Sequence, residues 1–168
     1  PFEMLGSMRP FGRDCRDQTV FIDDDGTGYH LCSTDRNRTL LLSRLTGDYR
    51  GFAGPHRLLF EGRYMEAHAI ARHAGRYWYL ASGCTGWAPN AARSAVADDL
   101  WGEWEELGNP CVGPGAEQTF AAQSTFLQPL PAEGEGPPRL LAMFDRWRPR
   151  DLGDSRYLWL EAHVTENG

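Results

Sequence analysis

The chain has 168 residues, 41% of them hydrophobic, and a formal charge of −6 at neutral pH. This is enough apolar material for one domain with a core and excludes a disordered polymer. All 17 cationic side chains are arginine and none form a basic run. Phosphate neutralisation needs clustered cations, so nucleic acid and anionic membrane surfaces are not expected as partners. No apolar run approaches the ~20 residues of a membrane span.

In chain order, "DQTVFIDDDGTGYHLCST" reads as a strand, a turn at Asp25-Gly26 and a second strand, with "RTLLLSRLT" as the third. "AHAIARHAGRYWYLASG" repeats the pattern around a turn at Ala74-Gly75, and "ARSAVADD" supplies its third strand. Within it, residues Ala91 to Asp99 fit helix or strand. "STFLQPLPAEGEGPPRLLAMFDRW" is a third strand pair around a longer turn rich in Pro and Gly, followed by "SRYLWLEAHV".

Three units, over about residues 17–57, 66–107 and 119–164, each a small antiparallel sheet, are the mark of propeller blades. The equivalent strand residues Val20, Ile70 and Leu127 are offset by 50 and 57. The expected fold is therefore all-β, a β-propeller with about three blades in this chain; a β-sandwich is the competitor.

Aligning the units on their turns places Asp17 nine residues before Gly26 and Glu66 nine before Gly75. Gln123 stands eleven before Gly134, in the longer turn. The first strand of each blade lines the channel of a propeller, so these positions converge on the axis. Two carboxyls and an amide then meet in one cavity.

Other residue types are less informative. The cysteines (Cys15, Cys32, Cys84, Cys111) show no spacing of a zinc site, so no metal and no cofactor is expected, and their pairing stays open. The run Asp23 to Asp25 reads as a solvated hairpin turn, without the spaced ligands of a calcium loop. Asp154 and Arg156 read first as an ion pair positioning the last strand. "SGCTGWAPN", directly after a strand, reads as a rigid loop presenting Trp87.

The strings "CRDQTVFIDDDGTGYHLCST", "GRYWYLASGCTGWAPNAARSAVAD", "GNPC", "AAQSTF" and "DRWRPRDLGDSRYLWL" resemble glycoside hydrolase family 43, on its branch of exo-β-1,3-galactanases. The resemblance runs over essentially the whole chain. It implies a five-bladed propeller of inverting glycosidases with the active site at the axis. Carried over by motif, Asp17 is the modulator of pKa and orientation, Glu66 the acid, and Gln123 the glutamine that stands in for the usual base. The alignment on turns picks the same three. His68 departs from the proline common two residues past the acid.

An inverting hydrolase needs a protonated carboxyl at the leaving oxygen and a second group activating water across the sugar, with a gap of ~6.5–9.5 Å between them. Glu66 suits the first role, with its pKa raised by a neighbouring Asp17 charge. A neutral amide is a very weak base, so Gln123 would position water through its carbonyl oxygen or act through an imidic tautomer. A sugar's C–H face packs on an indole, which makes Trp87 the platform, with a core aromatic between blades as the alternative, and makes Thr85 and Asn90 candidate hydroxyl partners. Asn37 falls where the resemblance implies an axis-facing polar group, and a turn asparagine fits it equally. The partner is then a carbohydrate, β-1,3-galactan or a related plant polysaccharide.

The family's propeller needs close to twice this length, so two N-terminal blades are expected to be missing, and "ENG" at the end reads as a turn into an absent strand. Uncovered terminal faces are expected to self-associate. The resemblance implies a secreted or periplasmic setting. Two further readings stand beside the enzyme: a noncatalytic sugar-binding remnant and an inactive structural fragment.

Overall fold

A computed structural model describes residues 3–133 and 136–164. Among them are eleven strands in three antiparallel meanders. The first sheet is β1 (Gln18–Ile22), β2 (Gly28–Thr34), β3 (Thr39–Leu45) and β4 (Phe52–Leu59). The second is β5 (Met65–His73), β6 (Arg76–Gly83), β7 (Arg93–Ala97) and β8 (Glu105–Gly108), and the third is β9 (Gln123–Leu130), β10 (Arg139–Arg146) and β11 (Arg156–Ala162). β5 packs against β1 on one side and β9 on the other, so the first strands of the three sheets stand together at the axis. This is part of a β-propeller.

The turn glycines act as the sequence predicts. Gly26 and Gly75 both take positive φ, 81° and 79°, where a side chain would be strained. Ala91 to Asp99 resolves as strand β7 and the turn after it. The third turn, at Gly134, and the terminal Glu166 to Gly168 lie outside the described residues.

β4 and β8 were not expected. β4 carries Gly54 and Pro55 and has one buried residue in eight, and β8 has four residues, three of them exposed. Both are outer edge strands, where proline is tolerated and apolar alternation is not required.

The second sheet is buried on both faces. Tyr77, Tyr79 and Ala81 join Ile70 in a core shared with Leu31, Leu40 and Leu42 of the first sheet. Trp78 and Leu80 face the other way, into a core with Leu127, Leu140 and Phe144 of the third. A sheet covered on both faces reads as a continuous apolar run, which is why "YWYLA" shows no alternation. β1 and β11, covered on one face, do alternate.

The outer face of the first sheet is less bare than expected. Residues 10–15 fold over it: Pro10 is buried, Phe11 stacks on His56 at 4.2 Å, and Cys15 is disulfide-bonded to Cys32. Cys84 and Cys111 are free. The aspartate run is also more than a solvated turn. Asp24 pairs with Arg72 at 2.6 Å and Asp23 accepts the Tyr77 hydroxyl at 2.6 Å, tying the first hairpin to the second sheet.

Candidate active site

Asp17 stands one residue before β1. The Arg16 N–H donates to the Ser33 carbonyl, the Ser33 N–H donates to the Asp17 carbonyl, both at 2.9 Å, and the neighbouring disulfide pins the same segment to β2. Glu66 is the second residue of β5, where the pairing with β6 slips between Glu66 and Ala69. Ala67 fills the extra position in the left-handed region, φ 58°. Two neighbours hold it there: its N–H donates to Asp17 Oδ2 at 3.0 Å, and its carbonyl accepts the Ser124 hydroxyl at 2.6 Å. All three sheets thus meet at one peptide. A bulge re-aims the side chains beside it. His68 turns into the core with Ile70, while Glu66 is left facing the other two sheets.

Buried His68 departs from a neutral packing residue only in its bonding. Its Nε2 lies 2.7 Å from Ser33 Oγ and its Nδ1 2.6 Å from the Tyr79 hydroxyl. Ser33 already donates to the Met65 carbonyl at 2.8 Å, so it must accept from Nε2–H, leaving Nδ1 to accept from Tyr79. Burial lowers the imidazole pKa to about 4, against a smaller opposing pull from the Asp17 charge.

The half-buried Glu66 carboxyl accepts two amides. Asn37 Nδ2 donates to Oε2 and Gln123 Nε2 to Oε1, each at 3.2 Å, and Gln123 Nε2 also reaches Ser82 Oγ at 2.9 Å. Asn37 is both a turn residue, φ 68°, and a group facing the acid. Its turn is fixed by Asp14, whose carboxylate accepts the N–H groups of Asp35 and Arg36 at 3.0 and 3.1 Å. The Glu66 pKa is raised, first by burial and then by the Asp17 charge, with the Gln123 and Cys84 hydrogen bonds acting against them. Asn37 also donates to Cys84 Sγ at 3.6 Å, so a free thiol borders the carboxyl.

An open gap was expected between Glu66 and Gln123, yet the two side chains are hydrogen-bonded. A second carboxylate would be held off by charge; a neutral amide has N–H donors and closes onto the acid instead.

Trp87 is 61% exposed, which removes it from the core. Thr85 and Asn90, expected as sugar-hydroxyl partners, bond within the loop. Thr85 Oγ1 donates to the Ala88 carbonyl at 2.5 Å, and Asn90 Nδ2 reaches Thr85 Oγ1 at 2.7 Å and the Gly83 carbonyl at 3.1 Å. Asn90 Oδ1 accepts the Gly83 N–H at 2.8 Å. They brace the indole. Sequence reasoning missed Ser124, although it stands next to Gln123 in "AQST", and Trp147, in the "DRW" string, whose ring lies 5.5 Å from that of Trp87. Among the described residues the one cluster of potential metal ligands is Cys15, His30 and Cys32, and its two sulfurs are bonded to each other.

Two carboxyls and an amide, each on the first strand of a different sheet or the residue before it, thus meet at the axis of a partial β-propeller. Solved structures specify the class further. A β-1,3-galactosidase of glycoside hydrolase family 43, solved with galactodeoxynojirimycin, is 46% identical with a TM-score of 0.87, over 94% of this chain and 44% of that one. An exo-β-1,3-galactanase from Clostridium thermocellum is 35% identical with a TM-score of 0.80, over 93% of this chain and 33% of that one. An exo-β-1,3-galactanase from Phanerochaete chrysosporium, solved with β-1,3-galactotriose, is 35% identical with a TM-score of 0.81, over 93% and 35%. The chain belongs to glycoside hydrolase family 43, on its exo-β-1,3-galactanase-like branch. It spans less than half the length of these structures. No protein-family profile and no curated protein sequence matches the chain.

Proposed function

We propose that this chain supplies the catalytic wall of an inverting glycosidase that removes galactose from β-1,3-galactan. The observation that carries the reading is the meeting of Asp17, Glu66 and Gln123, each from the first strand of a different sheet or the residue before it, around the Ala67 peptide and the Glu66 carboxyl. In this mechanism Glu66, its proton retained by burial and by the Asp17 charge, protonates the departing oxygen. A galactosyl ring entering beside Glu66 parts it from Gln123, whose carbonyl oxygen then orients water on the opposite face. Asp17 holds the bulge that aims Glu66. The partner is the galactan itself, in a secreted or periplasmic setting where the Cys15–Cys32 disulfide persists.

Release of reducing sugar from β-1,3-galactan, measured on the protein that carries this chain, tests the reading; no release under any condition sinks it. The closed Glu66–Gln123 contact favours a second reading, a noncatalytic galactan-binding module. Binding on a glycan array without hydrolysis would select it.

Asp17→Asn should move the alkaline limb of the pH–rate profile to lower pH. The asparagine oxygen can still accept the Ala67 N–H, so the bulge survives while the charge that helps Glu66 keep its proton is gone. An unmoved limb would show that Asp17 acts through geometry alone.

The exposed Val20 and Ile22 of β1 and Tyr157 and Trp159 of β11 lie on the two terminal sheets. We place self-association of this chain on these side chains. Sedimentation velocity of the chain should show concentration-dependent dimers or larger species; a single monomer at all concentrations removes the idea.

A further inference from the structure

The two oxygens of Glu66 face different neighbours. Oε1 accepts Gln123, and Oε2 accepts Asn37, whose amide also reaches Cys84 Sγ. In an inverting displacement the attacking water and the departing oxygen lie on opposite faces of the sugar. With the water on the Gln123 side, the departing unit leaves past Asn37 and Cys84.

A cleft of about 560 Å³ opens there, within the range of small-ligand sites, about 300–1,000 Å³. Cys84 stands in its wall with Tyr64, Asn90, Arg93 and Asn109, and neither Gln123 nor Ser82 takes part in it. The cleft thus begins at the thiol beside the acid and lies away from the water-orienting amide.

Tyr64 is held in this wall against its backbone preference. It is 51% exposed and takes a left-handed φ of 52°, a conformation that a bulky residue keeps only where its surroundings impose it. Here two neighbours impose it. The Tyr64 and Gly62 N–H groups donate to the Arg38 carbonyl at 3.5 and 2.9 Å, and the Met65 N–H donates to the Asn37 carbonyl at 3.0 Å. From the other side Arg93 Nη1 donates to the carbonyls of Arg63 and Tyr64. The ring is therefore fixed relative to Asn37, and through it to the acid. Arg93 Nε and Nη2 donate to no protein group among the described residues. A Cβ on Gly83 would lie 3.3 Å from Nη2, so the glycine lets the guanidinium lie beside the Cys84 end of the cleft.

We infer that Tyr64 is a substrate-contacting residue that, with Arg93, receives the departing galactosyl unit on the far side of Glu66 from Gln123; this rests on the galactosidase reading above. The ring covers the C–H face of that unit, and the free guanidinium N–H groups donate to its hydroxyls. Held there, the unit sets its bridging oxygen in front of the acid, and a galactan chain is preferred over a galactoside with a small leaving group.

The test compares hydrolysis of β-1,3-galactobiose with that of β-galactosyl fluoride, whose leaving group is a single atom. The protein that carries this chain is measured beside its Tyr64→Ala and Tyr64→Phe variants. Tyr64→Ala should lower kcat/KM for galactobiose about tenfold and leave the fluoride within about twofold, and Tyr64→Phe should restore most of the loss, as packing requires only the ring. Retained fluoride hydrolysis also shows that the variant is folded. Unchanged galactobiose hydrolysis in Tyr64→Ala overturns the inference and leaves the galactosidase reading intact. Equal losses on both substrates overturn the assignment of Tyr64 to the departing unit. If the unsubstituted protein hydrolyses neither substrate, the galactosidase reading itself fails and this inference with it.

Discussion

Replacing Glu66 by glutamine should reduce hydrolysis of β-1,3-galactobiose by about a hundredfold to ten-thousandfold, the usual range for losing a general acid. The side chain keeps its length, and its carbonyl oxygen can still accept the Asn37 amide that now reaches Oε2 at 3.2 Å. Its new NH2 would oppose the Gln123 NH2, but Gln123 can turn to offer its oxygen. What disappears is the proton. A sugar alkoxide cannot leave without it, whereas a nitrophenolate departs with little help. The same substitution should therefore slow an activated aryl β-galactoside by about tenfold or less. Equal losses on both substrates would mean that Glu66 is not the general acid.

Stability should fall as pH drops from 6.5, through His68. Its folded pKa of about 4 lies below the ordinary 6.5, because the buried ring is neutral while the unfolded ring protonates freely. Between those values the unfolded state binds the extra proton, so the contribution of neutral His68 is fully present above pH 6.5 and is lost towards pH 4. The loss is about 2 kcal/mol by pH 5 and about 3 kcal/mol by pH 4. Charging the ring would also break the bond from Tyr79, since Nδ1 could no longer accept. Urea denaturation at pH 7 and pH 5 should show this difference in the unsubstituted protein and little of it in His68→Gln. His30, buried with its pKa also lowered, contributes the same sign in both and drops out of the comparison. An identical pH dependence in the two proteins would assign the effect elsewhere.

The strands other than the edge strands β4 and β8, the hairpin turns and the convergence of Asp17, Glu66 and Gln123 were legible in the sequence because they depend on near neighbours. Alternation has a period of two, a left-handed turn calls for glycine at Gly26 and Gly75, and residues at one distance from equivalent turns reach equivalent ends of equivalent strands. The glycine-flanked loop likewise announced an exposed Trp87.

The tertiary structure alone decided what each of these side chains touches. Ala67 has no sequence mark of a left-handed bulge, since an alanine there is held by Asp17 and Ser124 from two other sheets. That bulge sends His68 inward and leaves Glu66 with Asn37 and Gln123. Thr85 and Asn90 carry the right chemistry for sugar hydroxyls, but each finds a nearer backbone or side-chain partner within its own loop. Trp147 stands sixty residues from Trp87 in the chain and beside it in space, because packing of the second sheet on the third brings the loops after β6 and β10 together. Local preference shapes a strand and its turn; hydrogen-bond partners across sheets are set only when the inner strands pack at the axis.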